Sequence, residues 1–140
     1  MVIMSVDLGK ARTGIAVCDK NELLASPLGI IEERNSEKTA EKVFEAAKAQ
    51  GAELFVVGLP KNMDGTEGES AKNARTFAEY LSQLSGMECV MQDERGTTVT
   101  AHNFLNATNT RGKKRKKVVD SVAAVVILED YLNRRKNHKV

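Results

Sequence analysis

Tryptophan is absent from this chain, and four Phe and two Tyr are its only aromatic side chains. With so few rings, base stacking is not expected as a main mode of holding nucleic acid. Two cysteines, Cys18 and Cys89, lie far apart in apolar runs, which fits neither a disulfide framework nor a thiolate metal site. They read as reduced thiols used as small core residues, and nothing favours a bridge between them. His102 and His138 lack ligand spacing, which argues against a zinc enzyme. No apolar run reaches about 18 residues, so no transmembrane helix is expected. The first residues lack the basic start and apolar core of a signal peptide. The expectation is a cytoplasmic protein without membrane contact. At 140 residues and 41% hydrophobic, the chain suits one domain over 1–140 with one core.

Charge is present in quantity but unevenly placed. Residues 1–110 carry eleven basic and sixteen acidic side chains, whereas residues 111–140 carry ten basic and three acidic. The excess concentrates in Arg111-Gly-Lys113-Lys114-Arg115-Lys116-Lys117, with a smaller group at Arg134, Arg135 and Lys136. A solvated linker is the plain reading of such a run. Polyanion binding is preferred here, because phosphates neutralised by such a strip release counterions and because the run leads straight into Asp120.

Apolar runs bounded by glycine turns give the path of the chain. Val2–Asp7 and Ile15–Asp19 form a hairpin, with Asp7 at the end of its first strand. Leu23–Ile31 is a third strand, where Pro27 indicates an edge or a bulge. Ser36 caps a helix to about Gln50 with Ala40, Val43, Phe44 and Ala47 on one face, and Gly51 ends it. Leu54–Val57 is a short strand buried on both faces. After the loop 58–68, a helix runs to about Leu84, and Met87–Met91 is the last strand. Thr97 or Thr98 opens a short helix to about Leu105, and Val118–Arg135 forms the final one. Right-handed crossovers place the fourth strand beside the first. The expected fold is α/β: a mixed five-stranded sheet of order 3-2-1-4-5 with helices on both faces, the arrangement of ribonuclease-H-like domains. Actin-like ATPases share that core, but they enclose nucleotide with a second half-domain that 140 residues cannot supply.

Three carboxylates fall at positions where chemistry gathers in such a sheet. Asp7 ends the first strand beside glycines that let a phosphate approach. Glu94 follows the last strand, at the carboxyl end where α/β ligands collect. Asp120 sits in Val118-Val-Asp-Ser-Val-Ala-Ala-Val-Val-Ile-Leu128 and shares a helix face with Ala123, Ala124 and Ile127. Asp120 as an exposed helix cap, and Asp93 and Glu94 as first-turn acids, are the structural alternatives. Together the three acids form a cage for a divalent cation with oxygen ligands. One spacing works against Glu94. The fifth strand lies roughly 9–10 Å from the first, so Asp64, after the fourth strand, is the nearer partner of Asp7 by position.

Four blocks carry a family resemblance: Asp7-Leu-Gly-Lys-Ala-Arg-Thr-Gly-Ile-Ala, Val-Val-Gly-Leu-Pro-Lys-Asn-Met-Asp-Gly-Thr-Glu-Gly68, Asp93-Glu-Arg-Gly-Thr-Thr98 and Asp120-Ser-Val-Ala-Ala124. They resemble the YqgF/RuvX family of ribonuclease-H-like proteins, described both as a pre-16S rRNA nuclease and as a Holliday junction resolvase. The resemblance runs from residue 2 to about residue 132. Gly96 stands where the family usually has Leu, and Ala11-Arg12 where Lys-Arg is commoner; neither change removes a carboxylate. The resemblance implies a hydrolytic, metal-dependent nuclease in which Asp7, Glu94 and Asp120 hold one or two Mg²⁺ or Mn²⁺ ions. Asp64 and Glu67 are further candidates for the metal or its water. Lys10, Arg12, Lys61, Arg95, Lys113, Lys114 and Arg115 would hold phosphates by position rather than by base readout. Asn62 and Thr66 would donate hydrogen bonds to the scissile phosphate. The implied partner is structured RNA, with processing of the 5′ end of pre-16S rRNA as the role. A four-way DNA junction is the alternative substrate, which favours a homodimer over a monomer. A non-catalytic RNA-binding module would use the basic strip without the cage.

Overall fold

The computed structural model describes residues 1–94 and 112–137, with only the helix backbone described over 112–121. Five strands form one sheet: β1 (Ile3–Asp7), β2 (Arg12–Cys18), β3 (Ala25–Glu32), β4 (Leu54–Leu59) and β5 (Cys89–Asp93). Helices α1 (Ser36–Gln50), α2 (Glu69–Ser85) and α3 (Gly112–Asn137) complete the described elements. The strand order is β3-β2-β1-β4-β5, the order expected from the sequence. β1 pairs antiparallel with β2 and parallel with β4, and β4 pairs parallel with β5.

Side chains alternate between two cores because successive strand residues point to opposite faces. Met4, Val6, Ile15, Phe55 and Val57 pack against α1 and α2 on one face. Ile3, Ala16, Cys18, Leu54 and Val56 pack against α3 on the other. Small residues let α3 lie close: Ala124 is fully buried, and the Ser5 hydroxyl donates a 2.6 Å hydrogen bond to its carbonyl. Further along, Leu128, Tyr131 and Leu132 share the core with Ile3, and Arg135 pairs with Glu22, which also holds the Met1 ammonium. Helix α3 therefore runs antiparallel to β1, with position 120 toward the Asp7 end and the opening turns beyond it.

Several boundaries differ from expectation for local reasons. Asn35, not Ser36, caps α1, because its side chain accepts from the Lys38 amide three residues on. The final helix begins at Gly112 rather than Val118, so the basic run is helical instead of a linker. Lysine and arginine are good helix formers, and the apolar face beyond them anchors the helix. β3 is an edge strand, and its register with β2 shifts between Ile15 and Ala16, leaving Leu28 unpaired next to Pro27. The short helix expected from Thr97 or Thr98 to Leu105 lies outside the described residues.

The cysteines cannot meet. Cys18 belongs to the α3 core and Cys89 to the opposite one, three strand spacings or roughly 14 Å across the sheet. Burial pushes the Cys89 thiol up to about 12. Among the described residues, no helix is long and apolar enough to cross a membrane.

Candidate active site

Asp7 closes β1 on the α3 face, by the same alternation that buries Ile3 and Ser5 there. Its partner on β2 is Gly14. On β4 the register Val6 to Val57 puts Gly58 beside it. Asp7 is thus flanked on both sides by residues without side chains, so neither β2 nor β4 puts a side chain of its own into the space beside its carboxylate.

Glu94 crosses that space. β5 pairs Val90 with Val56 and Gln92 with Gly58, so position 94 belongs to the α3 face as well. Its amide donates to the Leu59 carbonyl at 3.1 Å, which continues the β4–β5 ladder one residue past the strand. A Cβ built on Gly58 would stand 2.7 Å from Glu94 Oε2 and 2.6 Å from Ile127 Cδ1. The glutamate side chain therefore lies over the bare backbone of β4 and meets Asp7. Loss of solvent, and then the Asp7 charge and a hydrogen bond with Asp7, raise the Glu94 carboxyl to about 9. Sheet spacing alone argued against this reach, and Gly58 removes the obstacle. The signal was in the sequence, as the glycine of Val56-Val-Gly-Leu-Pro60.

Asp120 shares a helix face with Ala124, one turn earlier. The Ser5–Ala124 bond and the direction of α3 put backbone position 120 toward the Asp7 end of β1. Its side chain lies outside the described residues, as do those of Lys113, Lys114 and Arg115, and Arg95 entirely. Arg12 lies two positions before Gly14 on β2, on the Asp7 side of the sheet.

The remaining expected residues are elsewhere. Asp64, Asn62 and Thr66 bind one another. Asp64 Oδ1 accepts from both the amide and the hydroxyl of Thr66, and Asn62 Nδ2 donates to Thr66 Oγ1 at 2.8 Å. Glu67 takes a two-pronged contact from Arg75, at 2.7 and 2.8 Å, which draws its carboxyl below the usual range. With the Lys61–Glu67 bridge, these contacts build a closed loop tied to α2. Among the described residues, no third His, Cys, Asp or Glu joins Asp7 and Glu94 in a group able to hold a metal. Asp64 and Glu67 are held within this loop, and among the described residues they form no metal-binding group with that pair. Lys10 is exposed on the β1–β2 loop and lines a cleft on the α1/α2 side, apart from Arg12. Ser5, which pins α3 to β1, was not singled out from the sequence, since a lone serine in an apolar run carries no pattern.

Solved structures define the class of fold. A Thermus thermophilus RuvC in complex with a Holliday junction substrate superposes with a TM-score of 0.61 at 12% identity, covering 99% of this chain and 97% of that one. A fowlpox virus resolvase with Holliday junction DNA gives the same TM-score and identity, covering 96% and 99%. The fold is that of ribonuclease-H-like resolvases.

Sequence relatives narrow this. A family model described as "RuvX: Holliday junction resolvase" matches residues 1–134. A protein of Rhodopirellula baltica named "Putative pre-16S rRNA nuclease" is 41% identical over 130 residues, covering 93% of this chain and 75% of that protein. One of the same name from Endomicrobium trichonymphae is 40% identical over 132 residues, covering 94% of both. The chain belongs to the RuvX family.

Proposed function

We propose that the chain is a metal-dependent nuclease that hydrolyses phosphodiester bonds in the 5′ processing of pre-16S rRNA. The observation that carries this reading is the contact of Asp7 with Glu94, whose side chain reaches it across Gly58. Two carboxylates pressed together out of water repel unless one is protonated or a cation lies between them. Their all-oxygen donor set fits Mg²⁺ or Mn²⁺. Asp7, Glu94 and Asp120 would hold one or two such ions. When bound, the metal supplies Lewis-acid polarisation of the phosphoryl group and a water of lowered pKa.

The protein's own contribution is position. The sheet fixes Asp7, the bare β4 backbone lets Glu94 reach it, and α3 brings the backbone at 120 to the same end. Arg12, on the Asp7 side, would steady a phosphate oxygen, and the basic opening of α3 would hold the flanking backbone of a polyanion. Lys61 and Arg95 would add phosphate contacts, and the loop of Asn62, Asp64 and Thr66 would bear on the strand as a preformed unit. The free thiols suit a reducing cytoplasm.

The family description favours a second substrate, the four-way DNA junction. Resolution of a junction needs two symmetric cuts and so a dimer. The test is cleavage of a pre-16S 5′ leader RNA and of a matched junction with Mg²⁺ or Mn²⁺, with the oligomeric state measured alongside. Asp7→Asn and Asp120→Asn should each cut the rate by about 10²-fold or more. Cleavage that survives both substitutions overturns the metal mechanism, and symmetric nicking of the junction by a stable dimer overturns the RNA substrate. Nucleic acid bound by the wild-type chain but never cut makes it a binding module.

A further inference from the structure

A cleft of about 700 Å³ opens on the α1/α2 side of the sheet, across from the Asp7–Glu94 pair. Lys10, Arg34 and Ser36 line it from the β1–β2 loop and the start of α1; Asn73 and Tyr80 line it from α2. Lys10 and Arg34 are exposed and have no ion-pair partner among the described residues. Tyr80 is half-buried, with Leu8 and Phe77 beside it in the wall.

We infer that this cleft binds a nucleoside monophosphate unit. Two exposed cations with no ion-pair partner among the described residues suit an anion, and an arginine with hydroxyl and amide donors nearby suits a phosphate. A simple anion would have no use for the apolar and aromatic wall, and an apolar ligand would have none for the cations. A nucleotide uses both, with its phosphate at Lys10 and Arg34 and its base against Tyr80. The volume is within the range of small-ligand sites. Glu37, the one acid in the lining, is available to a ribose hydroxyl or a base amino group.

The unit has two sources: a free nucleotide, or an unpaired nucleotide of a strand bound at the carboxylate pair. Lys10 follows Asp7 by three residues, so a strand leaving the carboxylates over the β1–β2 loop would come within reach of the cleft. The strand source rests on the nuclease reading; the chemistry of the ligand does not.

The test titrates the ¹⁵N-labelled full chain, in chelator and without metal, with adenosine and uridine monophosphates and with inorganic phosphate. The expected result is amide shifts at Gly9, Lys10, Asn73 and Tyr80 with either nucleotide. Arg34→Glu should weaken binding about tenfold or more, and Arg34 is exposed, so the variant folds. Inorganic phosphate binding as tightly as the nucleotides, or no shifts at these positions, overturns the proposal. A second arm compares Asp7→Asn protein on a blunt duplex and on the same duplex with a three-nucleotide single-stranded extension. Tighter binding of the extended form, lost with Arg34→Glu, identifies the strand as source; equal binding beside the nucleotide shifts identifies the free nucleotide. If no substrate is ever cut, the nuclease reading fails while the shifts still report on the cleft.

Discussion

Glu94 occupies the space that a side chain on Gly58 would fill, with Oε2 2.7 Å from the position of the missing Cβ. A glutamate from the sheet's last strand reaches an aspartate two strands away because the strand between them is bare at that point.

Gly58→Ala should therefore act on the site more than on the fold. The added methyl meets the ends of two side chains, Glu94 and Ile127, rather than backbone, so both give way. The expected cost in stability is about 1–2 kcal/mol, as for one methyl added to a packed core. Cleavage should fall by about 10²-fold, because a carboxylate displaced by an ångström no longer serves its partner. Urea unfolding and single-turnover cleavage check both; unchanged cleavage would mean that Glu94 works from elsewhere.

The Glu94 carboxyl is raised from an ordinary 4.5 to about 9, chiefly by burial and then by Asp7. The folded protein thus binds more protons than the unfolded one across that window, and stability falls as pH rises through it. Glu94→Gln removes this slope. In chelator the variant and the wild type should melt alike near pH 4, and the variant should melt roughly 5 °C higher near pH 9. With Mn²⁺ the order should reverse, since the wild type alone presents a full charge to the ion. Calorimetry across the pH range reads both.

At the far end of α3 the sign is opposite. Hydrogen bonds from Arg135, with the Met1 ammonium beside them, hold Glu22 at about 2, against an ordinary 4.5. This contribution is fully present above pH 4.5 and is lost as pH falls toward 2. Glu22→Gln should cost about 2 kcal/mol at neutral pH and nothing near pH 2, read from urea midpoints.

Arg75→Ala frees Glu67 and with it the loop from Lys61 to Glu67. Both partners are exposed, so the melting temperature should hold. On the proposed role of the loop as a preformed surface for the strand, its release should raise KM about threefold or more while kcat changes little. A fall in kcat alone would place the loop in the chemistry instead.

The sheet order and the placing of Asp7 and Glu94 at strand ends were legible in the sequence because apolar runs, glycine turns and crossover handedness leave few alternatives. The start of α3 was not. Residues 112–117 have no apolar periodicity, and only the helix beyond them shows that they continue it. The status of Asp64 also lay beyond sequence reading. A position after the central strand suggested a metal ligand, but the short hydrogen bonds from Thr66 depend on the loop's fold. The flank of glycines around Asp7 was present in two motifs. Its meaning required the register that sets Gly14 and Gly58 on either side.

One flank of the sheet bears on how the protein behaves in concentrated solution. An open strand edge is a template on which a second chain can add its own backbone. On β3, Pro27 offers no amide to such a visitor, and the skipped pairing at Leu28 bends the line of the remaining groups. A passing strand finds the ladder interrupted near its middle, so eight residues of edge give it no continuous run to copy. The irregularity guards this border against fibrous growth.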